Sequence, residues 1–346
     1  MLQDQLDIID FTEADIILRN IETVDRVSLT DLVYRAVAGE LDLSLGGIFF
    51  GGLRLLFAEL FANVALMQQL IFVSVLAAVL KILTESFKSK SVGELGFYVC
   101  YLLLIIIIFS SFRLAILVTG DMIQNISHFV RVSIPVVISL VLMSGNMTGA
   151  YVFHTLFLFA IDIINTLIRT FLMPLIIFMA TVQIVNFLTE NEILSKLSES
   201  VQKIIIWGLK TLAGGFIAVL ALQRISTPIL NNLAIRTARL TINVVPVVGD
   251  MLSGAVDSVL YLAQATKNGV IVAVIISVVY IGILPVVKLT ALIFIYKFVA
   301  AIVQPICDKR IVKCLDTIGG YVGILLGICV MVIVMFTIAL MLLVTF

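Results

Sequence analysis

Long uncharged stretches alternate with short polar breaks along most of this chain. Mainly apolar runs cover Leu60–Leu80, Leu95–Phe112, Val132–Ile161, Thr170–Thr189, Asn268–Val287 and Thr317–Phe346. A helix that crosses a bilayer needs about 20 such residues in succession. The runs and the breaks between them predict crossing helices over 60–81, 95–118, 128–144, 150–168, 171–188, 205–222, 269–304 and 319–345. Gly120 to Ser127 reads as a short polar link and Gly145-Asn-Met-Thr-Gly149 as a breaker. The pair joined at Arg169-Thr170 reads either as a hairpin or as one broken helix. The stretch 269–304 is interrupted by Pro285 and Lys288. The expected fold is all-α: a polytopic transmembrane helical bundle of eight or nine spans, with amphipathic or re-entrant helices between them.

Three segments depart from this pattern. Residues 1–52 read as an acidic helical head ahead of a multi-pass transmembrane domain at 53–346. In the head, Ser28-Leu-Thr-Asp31 offers an N-cap for Leu32–Val37. Gly46, Gly47, Gly51 and Gly52 then predict a break in the chain. Between 190 and 204, Leu194, Leu197, Val201 and Ile204 repeat by three, four and three among Glu and Lys residues. That is one face of an amphipathic helix, suited to a membrane surface or a partner. Residues 224–268 form a polar helical insert, too polar to span and too apolar for a plain loop. It reads as two or three short helices broken at Pro228, Pro246 and Gly249.

Composition supports a bilayer as the solvent. The chain is 62% hydrophobic and 13% charged, against about 25% charged for soluble domains. Its mean hydropathy is +1.21. The formal net charge of zero hides an uneven distribution. Residues 1–45 carry ten acids and three bases, a net of −7, and the remainder is +7. Lysines and arginines fall on both sides of the expected topology, so they set no orientation. Scattered bases on a neutral chain argue against nucleic acid as a partner. No basic leader followed by an apolar core opens the chain, so no secretory signal is visible after Met1. Cys100, Cys307, Cys314 and Cys329 show no zinc spacing, and neither metal nor cofactor is expected.

Candidate chemistry centres on Asp162, a carboxylate deep in an apolar helix and a functional candidate on that ground. Arg169 follows two turns later on the same face, and His154 lies eight residues earlier and off that face. The three either form a polar seam lining a pathway or proton site, or serve as buried interhelical hydrogen-bonding groups. Val247-Val-Gly-Asp250 is similar to the Gly-x-Gly-Asp of intramembrane aspartyl proteases but lacks the first glycine. No HExxH, GxSxG or Walker lysine motif occurs. The chain is therefore expected not to be an enzyme.

One motif is not demanded by bilayer solubility. Pro246-Val-Val-Gly-Asp-Met-Leu-Ser-Gly-Ala-Val-Asp-Ser-Val259 is followed by Ala265-Thr-Lys-Asn-Gly269. With Gly39-Glu-Leu-Asp-Leu-Ser44 and the order of spans, it resembles the stage III sporulation protein AE family over nearly the whole chain. The family-motif candidates are Gly249, Asp250, Ser253, Asp257, Lys267 and Asn268. The resemblance implies a multi-pass protein of the mother-cell membrane around the engulfed forespore. It implies a non-enzymatic part of a secretion-like channel complex between the two cells. The implied partners are membrane lipid, the other stage III sporulation A proteins and, through the complex, stage II sporulation protein Q. A homo-oligomer fits the same picture. The alternative from the residues alone is a stand-alone secondary transporter or permease with a polar seam around Asp162.

Overall fold

The computed structural model describes residues 11–19, 28–38, 45–86, 90–143, 147–187, 195–242 and 248–344. Side chains are placed for all of these except 45–49, 84–86, 90–94, 147–153, 156, 195, 222–242 and 248–263. Every element among the described residues is helical. The elements are α1 (Thr12–Arg19), α2 (Leu29–Ala38), α3 (Leu45–Ala62), α4 (Val64–Ser86), α5 (Lys90–Met143) and α6 (Met147–Leu167). They continue with α7 (Met173–Asn186), α8 (Ser195–Ile242), α9 (Val248–Val303) and α10 (Lys309–Val344).

Six stretches of these helices are long and apolar enough to cross a membrane, against the eight or nine expected. The difference lies in continuity. No link interrupts α5 at Gly120–Ser127; it runs unbroken for 54 residues, about 80 Å at the helical rise. Gly46, Gly47, Gly51 and Gly52 lie inside α3 rather than breaking the chain. The amphipathic turns before Ile204 and the expected break at Pro228 both belong to α8, which runs on to Ile242. Gly249 lies in the first turn of α9. The insert is therefore the end of one long rod and the start of the next. Pro246 lies outside the described residues. Glycine costs about 1 kcal/mol in a helix, and a proline removes one backbone hydrogen bond. A long helix packed among neighbours absorbs both, and membrane helices tolerate them readily.

The junction of α6 and α7 settles the choice left open at Arg169-Thr170. The two form one rod joined by a π-turn at Ile168–Leu172, where the Met173 N–H bonds the Ile168 carbonyl. Pro174 stands in the first turn of α7 and has no N–H to donate. One widened turn lets the rod pass the proline without separating into two helices.

The centre of the molecule is the antiparallel pair α9 and α10, with α5 packed against both. On α10 the buried positions include Ile311, Cys314, Leu315, Ile318, Val322, Leu325, Cys329 and Val332. Apart from the neighbours Cys314 and Leu315, they recur at intervals of three and four, the period of one inward helix face. The buried Tyr296 hydroxyl bonds Ser111 of α5 and donates to the Ile108 carbonyl at 3.3 Å. At Gly282 a Cβ would lie 2.4 Å from Ile333 Cδ1, so the Ile333 side chain of α10 occupies the space that a larger residue on α9 would need. Around this centre, Phe72, Ile106, Phe178, Phe294 and Val334 stand exposed. Hydrocarbon is the solvent in which such an outer surface carries no penalty.

Asp308 fixes the turn between α9 and α10. Its Oδ1 accepts the Arg310 N–H at 2.8 Å, capping α10. Its Oδ2 lies 2.7 Å from Lys81 Nζ, which ties the turn to α4. Burial alone would raise the Asp308 carboxyl, but Lys81 and Arg310 outweigh it and hold it down to about 2. The guanidinium of Arg310 lies over the Phe97 ring at 5.0 Å. The four cysteines are free thiols.

The head helices sit on this body. The Asp15 carboxylate in α1 accepts the Leu29 N–H at 2.5 Å, Ser28 Oγ at 3.0 Å and Thr30 Oγ1 at 2.7 Å. An acid from one helix thus caps the next, where the helix dipole favours negative charge. Phe11, Ala14 and Leu29 meet Val132 and Val136 of α5 and Val270 and Val274 of α9. A Cβ at Gly269 would lie 2.3 Å from Val37 Cγ2, so α2 crosses α9 directly over this glycine.

Candidate functional site

Two sets of polar side chains stand out from the apolar body. The first lies between α5 and the α6–α7 rod. Asp162 of α6 forms an ion pair with Arg131 of α5. Arg169, in the π-turn, donates through Nη1 to Gln124 Oε1 at 3.1 Å. Gln124 and Arg131 are seven residues apart, as are Asp162 and Arg169, so two antiparallel helices meet in two rungs separated by two turns. Asp162 and Arg169 therefore share a face, but each is answered from α5 rather than by the other. His154 is half-buried and bonds to neither.

These groups are not buried. The Asp162 and Arg131 side chains are 55% and 43% exposed. Asp121, Gln124, His128 and Arg131 recur by three, four and three along α5 and are all exposed. The ladder thus lies on the outer wall of the bundle, within two stretches of membrane-spanning length, Leu95–Met143 and Phe157–Asn186. Of the two readings of Asp162, the interhelical contact is present and its burial is not. A charge facing lipid at depth is strongly disfavoured. An outward ladder of this kind needs water or a polar partner surface beside it.

The sequence pointed to Asp162 and Arg169 and passed over Arg131 and Gln124. The missing signal was the four-residue polar stripe on α5. It was obscured by the expectation of a loop over 120–127, since loop residues have no helical face to share.

The second set is the late motif. Lys267 is fully buried, and its Nζ has no hydrogen-bond partner among the described residues. The side-chain oxygens of Thr266 and Asn268 are likewise buried and unpartnered there. Lys267 shares a helix face with Val270 and Val274, which meet the head and α5. Lys267 is thus enclosed in packed protein rather than exposed to solvent. The side chains of Asp250, Ser253 and Asp257, and the segment Gly39–Ser44, lie outside the described residues. Gly249 is placed only by its backbone in α9. Among the described residues no three of His, Cys, Asp and Glu gather as a metal site.

Helices of membrane length, an outer surface of large apolar side chains and a paired charge ladder define an α-helical integral membrane protein. The stage III sporulation protein AE family matches residues 27–346. The chain is 31% identical over 291 residues to stage III sporulation protein AE of Bacillus subtilis (strain 168), covering 84% of this chain and 73% of that protein. The chain belongs to the stage III sporulation protein AE family, a family of sporulation membrane proteins. No solved structure matches it.

Proposed function

We propose that this chain is a non-enzymatic membrane component of a sporulation-specific, secretion-like channel between mother cell and forespore, required for forespore development. The observation that carries this reading is the outward ladder of Arg131–Asp162 and Gln124–Arg169. Paired charge on the outside of a membrane body suits a wall that faces water or another subunit, because lipid would not accept it. The setting is the mother-cell membrane surrounding the forespore. The partners are the other stage III sporulation A proteins and, through them, stage II sporulation protein Q. Residues 1–52 are taken as an acidic head and 53–346 as the membrane domain. Gly249, Asp250, Ser253, Asp257, Lys267 and Asn268 are carried in this reading as the motif candidates, and Lys267 and Asn268 adjoin Gly269, where α2 crosses α9.

The test is Asp162→Asn in a spore-forming host, reading forespore development and co-purification of the partner proteins together. A conducting wall predicts lost development with the assembly intact. Loss of the assembly itself would make the ladder a docking surface instead. Solute transport by the purified chain alone in proteoliposomes would replace the channel reading with the stand-alone transporter.

A further inference from the structure

The α6–α7 rod presents a second face to α8, on the side away from Asp162. Between the rod and α8 runs an open groove of about 680 Å³. Phe159 and Phe171 of the rod and Trp207 and Phe216 of α8 wall it, and Gly208 and Gly215 form its floor. Thr211 is the single polar side chain among the described residues that line it. The lining positions of α8 run from Ile204 to Val219, about 22 Å along the helix. Half of a bilayer core is about 15 Å, so the groove has the length of one leaflet and a little more.

Basic side chains flank the groove beside Trp207 without lining it. Lys203, Trp207 and Lys210 are spaced by four and three and so share a side of α8, and Lys196 lies two turns before Lys203. All four are exposed, Trp207 by 68%. None of the three lysines forms an ion pair with a described residue. Tryptophan at the mouth of an apolar groove, between lysines able to bend toward the surface, is the pattern of a headgroup boundary. The apolar groove matches an acyl chain, and the unpaired lysines match a phosphate with net negative charge.

We propose that this groove binds one acyl chain of an anionic phospholipid, whose phosphate is held between Lys203 and Lys210. Trp207 is the single tryptophan of the chain, so its fluorescence reports on this groove alone. The purified full-length chain is placed in vesicles with increasing mole fractions of phosphatidylglycerol or phosphatidylcholine brominated on the acyl chains. The expected result is half-maximal quenching at a mole fraction at least about fivefold lower for phosphatidylglycerol, since each lysine near an anionic surface contributes about that factor. The double substitution Lys203→Gln and Lys210→Gln brings the two curves together. A Cβ at Gly215 meets nothing within 4 Å, so Gly215→Leu adds bulk to the groove without a clash at Cβ and lowers maximal quenching by both lipids. Coincident curves for the unaltered chain would reduce the site to ordinary surrounding lipid and overturn the proposal. Absence of quenching by either lipid would overturn it in favour of protein, such as a second copy's helix, covering the groove.

Discussion

Replacing Asp308 with asparagine keeps the shape of the α10 cap and removes its charge. The carboxyl is held at about 2 in the folded chain against an ordinary 3.8. A depressed acid stabilises the fold above its unfolded value, and that contribution fades as pH falls from about 4 to about 2. Asp308→Asn should therefore lower stability at neutral pH by about 1 kcal/mol, modest because Lys81 is half-exposed. Thermal unfolding in detergent at several pH values checks this: the gap between the two proteins should close below pH 4. Lys267 predicts the opposite sign. Burying a charge that no opposite charge compensates is costly, and Lys267 has no partner among the described residues, so an apolar side chain in its place should cost nothing or stabilise. Lys267→Met should unfold at a higher temperature than the unaltered chain, and a lower one would reveal an acid paired with Lys267. At the ladder, a double-mutant cycle on Arg131 and Asp162 should give a coupling of only about 0.2–1 kcal/mol that weakens with salt, as for pairs facing water. Of these residues, Asp162 was legible because a lone carboxylate stands out in an apolar run. Its partner was not, because contact between helices carries no mark in a single sequence.

The helices themselves were legible, and their ends were not. Apolar length and the three-to-four period locate α4, α5, α9 and α10, since both follow from hydrophobicity and helical geometry alone. Pro228 and Pro285 and the glycines of α3 read as breaks under rules drawn from water-exposed helices. In the structure they are interior helix positions, and among the described residues Pro174 leaves a trace, as the π-turn beside Arg169. Glycine had a different meaning at positions 269 and 282. There it marks where another element comes too close for a side chain, which spacing along one chain does not disclose. Gly269→Leu should lift α2 from α9, because the new side chain would overlap Val37 and overpacking costs about 1–3 kcal/mol. A ten-residue helix does not hold its shape alone in water, so tryptic cleavage at Arg35 should quicken. Gly214→Leu is the control: a Cβ there meets nothing within 4 Å, and its cleavage rate should match the unaltered chain. Equal rates for both variants would mean that α2 is not anchored at Gly269.

At the scale of the molecule, the α6–α7 rod separates two environments. Toward α5 it carries Asp162 and Arg169; toward α8 it carries Phe159, Ile163 and Phe171. Both faces belong to the same membrane-length stretch, Phe157–Asn186, so depth in the bilayer cannot explain why one is polar and the other oily. A difference around the rod can: water or a polar subunit on the α5 side, and hydrocarbon on the α8 side. On the proposed channel reading the rod is one segment in a wall, with neighbours completing the enclosure on its polar side. The division is testable with single cysteines placed at matched positions on the two faces. Gln124→Cys and His128→Cys lie on the ladder side, and Phe159→Cys and Val219→Cys line the groove. In membranes from sporulating cells, a water-soluble maleimide should modify the first pair and leave the second unmodified, with native cysteines replaced to remove background. Modification of all four would place this level of the body outside the bilayer. Protection of all four would mean that the ladder is sealed against another protein surface, and the wall would then be a joint rather than a lining.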